Sequence, residues 1–239
     1  DYMLQHNRCL DELVDKYDIL LVEHVDFLRT VIKKKRKDAK VVFDNKDYFP
    51  REFELEWRFC FLDAGYCEFI FKKYLPQVDA IISVSEGLKK LLKDEYGQDS
   101  IVIPNAPYFQ QMEPTPVSKK LRVVHHGTTH SDRGLEDLIL CKEFKESCTL
   151  DLYVLDIDNK LEAIKKKAKS NSNIRFRDPV PLAQLMQTLN QYDVIVIFFP
   201  DGTVNNLYGL PNKFFEAIQA RLMIIVNFLP DMAAIVKEN

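Results

Sequence analysis

Two hydrophobic periods alternate along this chain. Short continuous apolar runs, among them residues 19–22, 41–43, 101–103, 194–199 and 223–226, have the length and branched content of strands, 19–22 reading as buried and 223–226 as covered on both faces; 150–155, interrupted by Asp151, reads as a further strand. Between them, apolar residues recur at helical spacing, as in 2–17 (Met3, Leu4, Leu10, Leu13 and Val14 on one side), 27–37, 135–146, 159–170, 182–191 and 231–237. Punctuation fits this division. Ser85 can cap the helix that follows the 79–84 run, and Gly97 can stop it. Pro211 suits the first turn of a helix carrying Phe214, Phe215, Ile218 and Leu222 on one face. Strand–helix alternation of this kind predicts an α/β fold with parallel sheets. Residues 108–120 have prolines and glutamines and no apolar period, so they read as a linker. The expected domains are 1–107 and 121–239.

Composition narrows the function classes. The chain has 239 residues, 46% hydrophobic and 29% charged, enough for two medium domains. A formal charge of -3 argues against nucleic acid as a partner. No apolar run approaches the ~20 residues of a membrane span. Five cysteines without CxxC spacing (Cys9, Cys60, Cys67, Cys141, Cys148) fit reduced thiols better than a disulfide framework or a zinc site. The cationic run 33–37 is expected to be a solvated helix C-terminus, with an anionic-lipid patch as the alternative. The aromatic-rich stretch 51–75 is expected to pack in the core, the alternative being a face for a lipid-linked acceptor.

Candidate chemistry concentrates in 207–226. A helix N-terminus suits phosphate, Lys213 adds a positive charge there, and Glu216 one turn on could accept two ribose hydroxyls. The plainer reading of Lys213 and Glu216 is a surface i,i+3 ion pair. A second candidate is the loop from Gly127 to Gly134, between a strand and a helix, where backbone N–H groups could cradle phosphate.

The run Pro211-Asn212-Lys213-Phe214-Phe215-Glu216, leading through a helix into an apolar strand, resembles the P-x-K-x-x-E donor motif of retaining GT-B glycosyltransferases of the family-four-like group. Three other stretches point the same way: Asp44 to Pro50, residues 79–88 with 101–107, and the 127–134 loop. The resemblance implies two Rossmann-like domains of GT-B type, both incomplete here, as in a fragment truncated at both ends. It implies transfer of a sugar from a nucleotide-diphosphate-sugar donor to a glycan or lipid-linked acceptor, with no cofactor and no metal. Glu216 would hold the donor ribose. Gly127, Thr128, His130, Arg133 and Lys213 would surround the diphosphate, and His24, Asp47 and Glu86 are candidates on the acceptor side. Tyr208, Thr128, Lys46 and Arg221 depart from the family pattern: a second glutamate, an arginine, a histidine and a glycine are usual at these places. A catalytically inactive binding module is therefore an alternative, and a GT-B nucleotide-sugar epimerase, which shares the fold and the donor site, is another. The expected location is the cytoplasm, with peripheral contact at the inner face of a membrane as a further possibility.

Overall fold

The computed structural model describes residue 10 and residues 13–129, 134–141, 148–200 and 202–238. The helix expected over 2–17 falls mostly outside them. The chain divides into two compact units: residues 1–104 with 202–210, and residues 105–201 with 211–239.

The first unit carries a four-stranded parallel sheet in the order β1-β2-β3-β4, with β1 Ile19–Val22, β2 Lys40–Asn45, β3 Ala80–Ser83 and β4 Ile101–Val102. Its helices are α1 Val25–Lys34, α2 Trp57–Leu62, α3 Ala64–Tyr74 and α4 Glu86–Tyr96. The alternating burial of β2 sends Val41, Phe43 and Asn45 to a fully covered face. There Phe43 meets Phe71 of α3 edge to face at 5.8 Å, and Tyr48, Phe49, Ile70 and Leu75 complete the packing. Helix α4 starts and stops as its sequence suggests. The Ser85 hydroxyl accepts from the N–H of Leu88, and Gly97 ends the helix at φ +67°.

The second unit has a five-stranded parallel sheet, β7-β6-β5-β8-β9, built from β5 Leu121–Thr128, β6 Cys148–Leu155, β7 Ile174–Arg177, β8 Val194–Ile197 and β9 Met223–Val226. Helices α5 Leu135–Leu140, α6 Leu161–Ala168 and α7 Leu182–Leu189 lie along its chain order. Three elements follow: α8 Val204–Tyr208, which belongs to the first unit, then α9 Asn212–Gln219 and α10 Pro230–Glu238 in the second. The central strand β8 is buried along its whole length, as four consecutive branched apolar residues require. From β5 the chain goes first to β6 on one side and later to β8 on the other, so β5/β8 is the point where strand order reverses.

Residues 204–208 form helix α8, although no apolar period in the sequence marks one. The structure corrects two expectations. Strands β1 and β9 are not the covered strands expected: each lies at a sheet edge, with Ile19 and Leu21 exposed in the one and Met223 and Ile225 in the other. The 51–75 stretch is only partly core. Phe59, Ile70, Phe71 and Tyr74 are buried, but Leu55, Trp57, Phe61 and Leu62 are exposed, Phe61 at 86%. Among the described residues no helix is long and apolar enough to cross a membrane.

Candidate functional site

In open α/β sheets, groups at the carboxyl ends of the strands beside the reversal point face the ligand. In the second unit those ends are Gly127 and Thr128, the last residues of β5, and Phe198 and Phe199 after β8. Helix α9 delivers its first turns to the same place. Lys213 Nζ stands 5.3 Å from the centre of the Phe199 ring, a cation over an aromatic face. The same Nζ is 2.9 Å from where a side chain on residue 127 would begin, and Gly127 has φ +153°. The backbone at residue 127 thus favours glycine, and the flexible end of Lys213 occupies the room its missing side chain leaves.

Glu216 is one turn along α9. Its side chain is only 11% exposed, and its carboxylate oxygen Oε2 lies 3.3 Å from His126 Nε2, whose side chain is 13% exposed. Burial pushes the Glu216 pKa up, while the Lys213 charge opposes the rise. Burial lowers the His126 pKa to about 4, and Lys213 pushes the same way. His126 is therefore neutral at pH 7, and its approach to Glu216 is not an ion pair. Its Nε2 is fully enclosed and lies outside hydrogen-bond alignment with the carboxylate. The preceding residue, His125, points to the other face of β5 and is fully buried. Its Nδ1 lies 2.9 Å from the Val196 carbonyl oxygen, joining β5 to β8.

The loop after β5 is anchored by Thr129, whose hydroxyl has Asp158 at 2.5 Å and Asp156 at 3.1 Å as acceptors and itself accepts from the N–H of Ile157 at 3.1 Å. Gly134, at φ +60°, closes the loop where α5 begins; a Cβ there would lie 2.0 Å from the Phe198 ring. His130 and Arg133 lie outside the described residues. Thr128 ends β5, partly buried, in register with Leu155.

The acceptor-side candidates all stand at the carboxyl edge of the first sheet, His24 after β1, Asp47 after β2 and Glu86 after β3. His24 caps α1 and packs edge to face on Phe49 at 5.0 Å. Asp47 is exposed, and Glu86 is exposed in the first turn of α4. Lys46, where the family pattern has histidine, is held by Glu23 at 2.7 Å. Two residues escaped the sequence reading. Glu52, whose pKa is raised to about 7 by burial and by Asp47 and Asp26, joins this edge from a turn that no pattern marks. His126 had a signal in its position just before Gly127, which the period-2 rule sends to the face opposite His125. Among the described residues, no group of three His, Cys, Asp or Glu side chains could hold a metal ion.

No family model matches the sequence, and no curated protein matches it. Solved structures do. A mutant TarM of S. aureus, in complex with Fondaparinux, alpha-GlcNAc-glycerol and UDP, is similar with a TM-score of 0.72 at 12% identity, over 96% of this chain and 45% of its own. Sucrose-phosphate synthase from Thermosynechococcus elongatus gives 0.71 at 10% identity, over 95% and 60%. A trehalose-6-phosphate synthase, studied for enzymatic glycosyltransfer with retention, gives 0.63 at 12% identity, over 97% and 64%. The chain thus spans about half to two thirds of the length of these structures. Its two parallel-sheet units have the fold of GT-B glycosyltransferases.

Proposed function

We propose that this chain carries the donor site, and part of the acceptor domain, of a retaining glycosyltransferase that uses a nucleotide-diphosphate-sugar. The observation that carries the reading is the convergence, at the strand-order reversal of the second sheet, of Lys213 against Gly127 and of the buried Glu216 one turn further on. A glutamate at an enclosed place beside a lysine suits a ligand with paired hydroxyls next to phosphate. The bound UDP of TarM supports a uridine nucleotide as the first ligand to try, and the trehalose-6-phosphate synthase supports retention. Lys213 and the N-terminus of α9 would stabilise charge on the leaving diphosphate, a fixed electrostatic device that needs no metal ion. Thr128, His130 and Arg133 would complete that clamp. His24, Asp47 and Glu86, joined by Glu52, would serve the acceptor hydroxyl. The finer reading includes a glycan or lipid-linked acceptor, polysaccharide or glycoconjugate biosynthesis, and a cytoplasmic location in contact with a membrane face.

Calorimetric titration with UDP tests the core of this reading. Hydrogen bonds to a charged group are worth about 1.5–3 kcal/mol. Glu216→Ala should weaken UDP binding roughly ten- to a hundredfold, since ~1.4 kcal/mol is a factor of ten. Equal affinities in the variant and the parent protein would remove Glu216 from the site.

A further inference from the structure

His126 has no place in the donor motif, yet from β5 it lies close against the Glu216 carboxylate. Its ring is almost enclosed, its Nε2 has no hydrogen-bond partner among the described residues, and that atom lies 3.3 Å from Glu216 Oε2. A buried polar atom left unpaired is costly, and it gains most from the nearest acceptor. Two arrangements satisfy the pair. Either Nε2 carries the proton and donates to an ionised Glu216, or Glu216 is protonated and donates to a bare Nε2. Burial raises the Glu216 pKa, and the Lys213 charge, which opposes that rise, favours the arrangement with an ionised carboxylate. The charged groups facing His126 are thus Lys213 and Glu216.

We infer that His126 is a positioning residue: as the neutral Nε2–H tautomer it orients the Glu216 carboxylate for a nucleotide ribose. This rests on the donor-site reading above. Rotation of either side chain would align the bond, and interactions at binding sites often tighten in this way when ligand arrives. With one Glu216 oxygen held by His126, the remaining acceptor positions are fixed toward the ligand, so less ordering is left for binding to accomplish. The ligand class that benefits is one with two adjacent hydroxyls, and 2′-deoxy-UDP should lose most of the advantage.

Two measurements test it. Ring nitrogen–proton correlation spectra of the unliganded protein should show His126 neutral at pH 7, with the proton on Nε2; a bare Nε2 overturns the inference. UDP titration of His126→Ala, Glu216→Ala and the double variant forms a cycle. Coupled neighbours show effects of about twofold or more. His126→Ala should weaken UDP binding by at least that factor in the parent protein and have no effect once Glu216 is alanine. His126→Gln, which keeps an N–H near the same place, should recover part of the loss. Equal losses from His126→Ala in both backgrounds would make its role structural and overturn the inference alone. Failure of the parent protein to bind UDP would overturn the donor-site reading and this inference with it.

Discussion

At the residue scale, the site is shaped by what two glycines leave empty. Gly127 leaves room for the Lys213 ammonium, and Gly134 leaves room for the Phe198 ring. Gly134→Ala would place a methyl 2.0 Å from Phe198 Cδ1 at a residue with φ +60°. Overpacking and left-handed strain each cost roughly 1–3 kcal/mol. The variant should lower the denaturant midpoint of the second unit markedly, and an unchanged midpoint would show that the ring is free to move. Lys213 supports a second expectation. If fixed cations neutralise the donor diphosphate, UDP affinity should be the same with and without EDTA, and should fall about tenfold or more in Lys213→Ala. Binding lost to EDTA and restored by manganese or magnesium would count against that reading.

At the scale of elements, helix α8 is the part that local sequence describes least well. Its five residues follow the second unit's β8 in the chain but pack on the first unit. Polar groups tie it down. The Asn205 side-chain oxygen accepts from the N–H of Tyr48 at 2.6 Å, the Ser85 hydroxyl donates to the Tyr208 carbonyl at 2.6 Å, and Glu54 accepts from the N–H of Val204. Val204 and Tyr208 add apolar contact to the core around Tyr48 and Phe71. Tyr208, at a family glutamate's place, thus works as a packing residue here. Loss of a partner to a part-buried N–H costs about 1–3 kcal/mol. Asn205→Ala should speed hydrogen exchange at the Tyr48 amide and lower protection across β2, with the amides of β5 and β6 unchanged. Unaltered exchange at Tyr48 would show that α8 is not anchored through Asn205.

At the scale of the whole molecule, the exposed side chains of Leu55, Trp57, Phe61 and Leu62, close together in the chain, are at odds with a surface in water. Nearby charges in 51–75 are mixed, with Glu52, Glu54, Glu56, Asp63 and Glu68 against Arg51, Arg58, Lys72 and Lys73. Contact with a bilayer at this place would therefore come from apolar insertion rather than from anionic headgroups. The protein should sediment with neutral phosphatidylcholine vesicles, with little dependence on salt, and Trp57→Ser with Phe61→Ser should abolish this. Retention of binding by that variant would dissociate the patch from any membrane role. The sequence alone determined the strand–helix alternation and the parallel sheets, because hydrophobic period is a local property that survives in most elements. It also determined that Lys213 and Glu216 share one helix end, since i,i+3 spacing is enough for that. Only tertiary structure decided that Glu216 is buried against His126 and not paired on the surface, because the partner comes from a strand far earlier in the chain. Tertiary structure likewise assigned α8 to the first unit and left β9 with an exposed face. Which neighbour covers an apolar residue depends on strand order, and strand order is not written in any local window.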